Sequence, residues 1–309
     1  MQNDKIENMM LSVVIPACNE EANIGRCIDE LLAVVQQQGI RCEIIVVNDN
    51  STDGTADVVQ ARQVASGRIR LVHRRPPGGF GRAVRDGIRH VRGDIVVIYM
   101  ADLSDDPRDV VTYYQKIVAG YDCVFGSRFM RGSHVEKYPP LKRLVNRVVN
   151  RTVQLMFCTR FNDLSNAFKA YRTSVIRDCG PYRASHFNIT LEMSLSALIR
   201  RYRIAQVPIR WYGRTWGSSK LKLREMGRKY LCTTLMLFFQ RMLISDDLMA
   251  ERLAGHSEVD WHRDGYDPEP SPEQLLDQLE SITEEIAVLN EPSASQQPTP
   301  SNDLPAETC

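Results

Sequence analysis

LSVVIPACNEEANIGRCIDELLAVVQQQGIRCEIIVVN, residues 11–48, contains one complete strand–helix–strand unit and decides the fold. Leu11 to Pro16 and Glu43 to Asn48 are β-branched runs with little polar alternation, the pattern of strands buried on both faces. Glu20 to Gln38 between them has helical periodicity. Working outward, the same alternation continues. Ile69 to His73, Asp94 to Tyr99 and Cys123 to Gly126 read as strands, and Thr55 to Ala65, Gly81 to Val91 and Pro107 to Ala119 as helices. The order predicts an α/β fold, a mostly parallel sheet with helices on both faces. Ligands of such sheets bind beyond the carboxyl ends of the strands, so the loops after Pro16, Asn48, His73 and Tyr99 are the ones to inspect.

After Gly126 the pattern changes to a basic loop, a helix from Leu141 to Phe157, a turn at Phe161 to Asn166 and a strand at Ile204 to Pro208. From Asp246 it changes again. The whole chain has 39 Lys and Arg against 38 Asp and Glu, a net charge of +1, but the sum hides two opposed segments. Up to Ser245 there are 37 basic and 22 acidic residues; from Asp246 there are 2 and 16. Such asymmetry points to an anionic partner for the first segment and an acidic tail for the second. The expected organisation is one domain over 10–245 and a partly disordered tail over 246–309. Within the tail, Ser271, Pro272 and Gln274 read as a helix start, and Leu275, Leu279, Ile282, Ile286 and Leu289 give about two heptads over 272–290. That tail is expected to dock on the body or a second subunit, or to compete intramolecularly for the basic surface.

The sequence also bounds the class. Its N-terminus lacks the basic-then-apolar order of a signal peptide, and its longest apolar stretch, Leu231 to Ile244, is too short and too interrupted for a bilayer span. Eight cysteines without a CxxC pair indicate a reducing compartment. The expectation is a cytoplasmic protein, peripheral on the cytoplasmic face of the membrane.

Three loops at the predicted carboxyl edge carry polar groups. IPACNEEANI (Ile15 to Ile24) starts a helix that Asn19 can cap. VNDNSTDGT (Val47 to Thr55) turns tightly at Asp53 and Gly54. YMADLSDDP (Tyr99 to Pro107) holds Asp102, Asp105 and Asp106; the last two precede Pro107 as helix-cap candidates, which leaves Asp102 as the candidate ligand for a hard cation facing phosphate. PPGGFGRAVRDG (Pro76 to Gly87) follows the third strand with no acidic residue closing the unit, which argues against dinucleotide binding. In the second half, Arg143, Arg147 and Arg151 share one helix face with Leu144, Val145, Val148, Leu155 and Met156 largely on the other; the charged face is either solvated or meets phosphates or lipid headgroups. RTWGSSKLKLRE sets Arg214 and Lys220 around a turn containing Ser218, where amides and two cations could close on one phosphate. No aromatic series interleaves with these cations, which disfavours nucleic acid.

Taken in order, IPACNEEANI, VVNDNSTDGT, Met100-Ala101-Asp102, FGSRF (Phe125 to Phe129), DLSNAFKAYR (Asp163 to Arg172) and RTWGSSKL resemble family 2 glycosyltransferases, and within them the dolichol-phosphate mannosyltransferase and polyprenyl-phosphate glycosyltransferase branch. The resemblance spans roughly Leu11 to Met242. It implies a GT-A fold and inverting transfer of a hexose from a nucleotide diphosphate sugar to a polyprenyl phosphate. Residue by residue, it implies donor contacts from Pro16, Cys18, Glu20, Val47 and Asp49, with Ala101, Asp102 and Ser104 at the diphosphate and its Mg²⁺ or Mn²⁺. Arg128 resembles the family's donor-side arginine, Arg214, Ser218 and Lys220 would meet the acceptor phosphate, and Glu192 falls near a family glutamate.

Two departures stand out. Met100 replaces the first aspartate of the DxD signature, and a thioether is a poor ligand for a hard cation, so metal should bind more weakly. Asn48 stands where the family has aspartate, which adds a donor beside the base. A lipid phosphate is already anionic near neutral pH and needs no strong protein base. A hydroxyl acceptor would need one, with Asp163 or Glu192 as candidates. A third reading is a non-catalytic nucleotide-sugar-binding scaffold, which Met100 would favour.

Overall fold

The computed structural model describes residues 9–213 and 223–253. The chain divides into two compact units, Met1–Pro268 and Glu269–Cys309. The second, with the heptads of 272–290, lies outside the described residues, as do Arg214, Ser218 and Lys220.

In the first unit the strands are β1 (Leu11–Ala17), β2 (Cys42–Asn48), β3 (Ile69–His73), β4 (Ile95–Ile98), β5 (Cys123–Ser127), β6 (His134–Glu136), β7 (Lys169–Arg172), β8 (Ile204–Pro208) and β9 (Arg210–Tyr212). The helices are α1 (Glu21–Gln37), α2 (Thr55–Ala65), α3 (Phe80–Arg89), α4 (Pro107–Val118), α5 (Pro140–Phe157), α6 (Thr173–Cys179), α7 (Ile189–Ile199) and α8 (Leu223–Leu253). Seven strands form one sheet in the order β3-β2-β1-β4-β7-β5-β8. All neighbours run parallel except β7, which is antiparallel to both β4 and β5. β1, β2 and β4 are buried along their whole length, as their unalternating sequence predicts. The sheet separates two apolar cores, one under α1 and α4 and the other under α3, α6 and α7.

The chain moves outward from β1 to β2 and β3, then returns to place β4 on the other side of β1. That reversal is the switch point at which open α/β sheets bind ligands. Because β7 reverses direction once between β4 and β5, the carboxyl ends of β1, β2, β4 and β5 share one edge. The β1, β2 and β4 loops therefore meet FGSR, the segment at the end of β5. β6 and β9 form a separate two-stranded ribbon over this edge, linked to the β4 loop by a bridge between Asp105 and Trp211.

Two local expectations are corrected. Asn19 does not cap α1: its backbone is left-handed (φ 56°) and Glu20 holds the N-cap position without a side-chain cap bond. On α5, Leu141, Leu144, Val148 and Leu155 face solvent, while Asn150, Val153, Gln154 and Phe157 face inward. Apolar side chains thus lie on both sides of the helix, four exposed and Val153 and Phe157 in the second core. Polar partners in the body hold the inward polar groups: Asn150 Nδ2 donates to Ser165 Oγ (2.9 Å) and Gln154 Nε2 to the Arg160 carbonyl (3.1 Å).

Candidate active site at the carboxyl edge of the sheet

The β1 and β2 loops are built as a single cross-linked surface. Asn19 Oδ1 accepts from Thr52 N (2.8 Å), Glu20 N donates to Thr55 Oγ1 (2.9 Å) and Gly54 N donates to Glu21 Oε2 (2.9 Å). These bonds satisfy the orphan amides at the starts of α1 and α2 and hold Pro16, Cys18, Glu20, Val47 and Asp49 on adjoining strand ends. Asn48 Oδ1 is turned to its own loop, accepting from Ser51 N (3.0 Å).

Asp49 is held from the neighbouring glycine loop. Its Oδ2 accepts from Gly79 N (2.6 Å) and its Oδ1 from Arg74 Nη1 (2.5 Å), while Arg74 Nε pairs with Asp86. Gly79 has φ +148°, and a Cβ there would lie 2.4 Å from the Ser185 carbonyl, so only glycine lets the loop close on Asp49. The PPGG segment thus fixes a carboxylate on β2. The tie of Arg74 and Gly79 to Asp49 has no signal in the sequence, because the partners are 25 and 30 residues apart.

The β4 loop places Asp102 and Ser104 at the same edge, with Ser104 N donating to Asp102 Oδ1 (3.2 Å). Asp106 caps α4, accepting from Arg108 N (2.9 Å), as expected. Asp105 does not cap. It is 3% exposed, accepts from Met100 N (3.3 Å), and its own carbonyl accepts from Tyr99 Oη (2.6 Å). Burial, reinforced by the nearby Asp102 charge, pushes the Asp105 carboxyl well above the usual carboxylate range. No cluster of three metal-ligating side chains occurs among the described residues.

Beyond β5, Arg128 and Asp163 form a buried pair that joins FGSR to DLSN. Arg128 Nε and Nη2 donate to the two Asp163 oxygens (2.8 and 2.7 Å), and Arg128 N donates to Oδ2 (3.0 Å). Burial alone would weaken the charge on Arg128, but Asp163 outweighs it and holds the guanidinium above the ordinary arginine value. The aromatic rings of Phe129, Tyr138 and Trp211 surround it, at 5.6, 5.4 and 6.0 Å from its central carbon. Nη1 takes no part in the pair and is the corner of the fork available to an anion. Below lies Lys169, fully buried, whose Nζ donates to the Leu164 carbonyl and Ser194 Oγ (both 2.5 Å). Burial lowers its pKa to about 7.

β9 carries the chain from this centre toward Arg214. Arg210 is fixed to Asp109 on α4 through its backbone N (2.7 Å) and Nη1 (2.6 Å), Tyr212 N donates to the Ser104 carbonyl (2.9 Å), and Gly213 N to the Glu136 carbonyl (2.9 Å). Tyr212 therefore lies beside Ser104. Glu192 is engaged with backbone. It is buried on α7 and accepts from Arg183 N and Ala184 N (2.8 Å each), closing the loop before its own helix.

The sequence profile of Glycosyl transferase family 2 matches residues 12–180, more than half of the chain. The chain belongs to this family. Among curated relatives, it is 30% identical over 170 residues to an undecaprenyl-phosphate 4-deoxy-4-formamido-L-arabinose transferase of Shewanella sediminis, covering 54% of this chain and 49% of that one. It is 28% identical over 219 residues to a dolichol-phosphate mannosyltransferase of Pyrococcus furiosus, covering 69% and 60%. The chain thus spans half to two thirds of the length of these relatives. Among solved structures, the glucosyl-3-phosphoglycerate synthase of Mycobacterium tuberculosis with Mn²⁺, UDP and phosphoglyceric acid superposes with a TM-score of 0.59 at 22% identity, over 76% of this chain and 81% of that one. That likeness bears on the fold, which is GT-A as the family resemblance implied. The segment matched by the family profile contains Asp49, Asp102, Arg128 and Asp163.

Proposed function

We propose that this family 2 glycosyltransferase transfers a hexose, with inversion, from a nucleotide diphosphate sugar to a polyprenyl phosphate. The observation that carries the acceptor class is the state of the two carboxylates a hydroxyl acceptor would need. Asp163 is spent on Arg128, and Glu192 on two backbone amides. Neither is placed to take a proton. A phosphate monoester, with a second pKa of about 6, arrives already anionic and needs positioning only.

In this reading Pro16, Cys18, Glu20, Val47 and Asp49 hold the nucleoside. Ala101, Asp102 and Ser104 face the diphosphate, and Arg128 offers Nη1 to the phosphate region. Arg214, Ser218 and Lys220 would close on the acceptor phosphate from the segment that starts at Gly213. The donor set at Asp102 and Ser104 is all oxygen and fits Mg²⁺ or Mn²⁺ provided diphosphate oxygens and water complete the coordination. Such an ion would offset the charge that develops on the departing diphosphate. The relatives named above are described as acting on dolichol or undecaprenyl phosphate, and the M. tuberculosis structure holds Mn²⁺ and UDP, which supports both halves of the reading. A polyprenyl phosphate presents its headgroup at a membrane surface, and in this reading the reaction takes place there; no helix among the described residues is long and apolar enough to cross a membrane.

The test is a donor screen, GDP-mannose against UDP-glucose and UDP-N-acetylglucosamine, with polyprenyl phosphate and the matching polyprenol. Transfer to the phosphate and none to the alcohol is expected; transfer to the alcohol alone would overturn the acceptor. Met100 favours a second reading, a nucleotide-sugar-binding scaffold. Turnover that is lost in Asp102→Asn would end it.

A further inference from the structure

Glu192 commits a buried charge to the backbone of one short loop. The residue is 3% exposed, and its two oxygens accept from Arg183 N and Ala184 N (2.8 Å each). Keeping a carboxylate out of water is costly, and the two amides that offset the cost fix the loop 183–187 ahead of α7. Next in that loop, the Ser185 carbonyl accepts from Gly81 N (3.1 Å) and Arg82 N (3.3 Å). Those are first-turn amides of α3, which have no acceptor within their own helix. α3 has Gly79 at its N-cap position and no side-chain cap bond, so the loop held by Glu192 supplies the acceptor instead.

Loop and helix are locked at close range. A Cβ on Gly81 would lie 2.6 Å from the Ala184 carbonyl and 2.7 Å from that of His186. Phe187 stacks on Phe80, the residue after Gly79, with ring centres 4.4 Å apart and planes 12° from parallel. From the other side, Tyr230 Oη on α8 donates to the Phe187 carbonyl (3.1 Å). What this assembly holds in place is Gly79, whose amide donates to Asp49 Oδ2 (2.6 Å). A continuous chain of contacts thus runs from Glu192 through 183–187 and the start of α3 to Asp49.

We propose that Glu192 and Phe187 are positioning residues for the donor. They set the loop 183–187 against the first turn of α3, and through Gly79 N they fix the Asp49 carboxylate for the nucleoside. Both act through a backbone amide rather than on the donor itself. The role rests on the reading that Asp49 holds the nucleoside. It also gives Glu192, a candidate base for a hydroxyl acceptor, a task on the donor side.

The experiment is calorimetry of the full chain with GDP and with UDP, each with Mn²⁺, at a temperature where circular dichroism shows every variant folded. Hydrogen exchange of the Gly79 amide, followed by NMR without nucleotide, reads the tether directly. Phe187→Leu removes the stack but keeps apolar bulk at a half-buried position. It should raise the nucleotide Kd about three- to tenfold, the worth of a stacked aromatic pair. Gly79 exchange should become about threefold faster or more, because the local opening that exposes the amide is easier. Phe187→Tyr retains the ring and should leave both as in the unaltered chain. Glu192→Gln keeps one acceptor oxygen but turns an amide group toward the second N–H, so it should move both quantities in the direction of Phe187→Leu; if it does not fold, the two Phe187 variants decide alone. Unchanged affinity in Phe187→Leu, or weakened affinity with Gly79 exchange as in the unaltered chain, would overturn the proposal. If the unaltered chain binds neither nucleotide, the donor reading falls, and the exchange rates still decide whether 183–187 holds Gly79.

Discussion

Removing the carboxylate of Asp163 is the most informative single perturbation of this molecule. The Asp163→Ala variant leaves Arg128 without its counter-ion at a place where the arginine side chain is only 8% exposed and the aspartate not at all. Three hydrogen bonds are lost at once, two from the guanidinium and one from the Arg128 amide. Breaking one side of a buried pair costs about 3–5 kcal/mol, more than the pair itself contributes, because the survivor remains charged and dry. For a folded unit of this size each kcal/mol lowers Tm by roughly 2–4 °C, so a fall of about 6–20 °C is expected. Thermal unfolding followed by circular dichroism at pH 7.5 measures it, with Arg128→Met and the double variant Arg128→Met/Asp163→Leu completing a cycle. The double variant should be less destabilised than the sum of the singles by about 1–3 kcal/mol, since it buries neither charge. Additive single effects, or a fall below about 3 °C in Asp163→Ala, would refute the buried pair as the joint between the β5 end and the DLSN turn.

Three further expectations follow from the same geometry. Lys169 sits near a pKa of 7 when folded against ~10.4 in an unfolded chain. The unfolded chain then binds more protons between those values, so the contribution of Lys169 to stability rises with pH across that window, by at most about 1.4 kcal/mol per unit, and is flat below it. Urea denaturation of the unaltered protein and Lys169→Met from pH 6 to 10 should show this slope in their difference, and parallel curves would exclude the buried amine. Met100→Asp restores a second oxygen donor near Asp102 and should tighten Mn²⁺ binding in the presence of UDP or GDP by roughly tenfold, read by calorimetry; an unchanged affinity would show that position 100 does not reach the cation. Arg74→Ala releases Asp49 from one of its three hydrogen-bond donors, the others being Gly79 N and Asn50 Nδ2, and should weaken nucleotide binding by roughly tenfold, on the scale of a charged hydrogen bond. Full affinity in that variant would mean that Gly79 N and Asn50 Nδ2 suffice to hold Asp49.

The sequence by itself determined the sheet and its working edge. Buried parallel strands carry unbroken apolar runs, so β1 to β5 and α1 to α4 were legible to within a few residues, and with them the loops that hold Asp49, Asp102 and Arg128. The motif order was equally legible and placed the chain in its family. What sequence could not supply was anything carried by a partner distant along the chain. β7, a short strand of four residues inserted antiparallel between β4 and β5, has no periodicity long enough to register, yet it brings the end of β5 to the site. The clamp of Arg74 and Gly79 on Asp49, the closure of Asp163 on Arg128, and the engagement of Glu192 with its own loop are likewise decided by packing. The clearest case is α5. Periodicity divides a helix into faces, but only the tertiary structure, by offering Ser165 and Arg160 as partners to Asn150 and Gln154, decides which of them meets the protein.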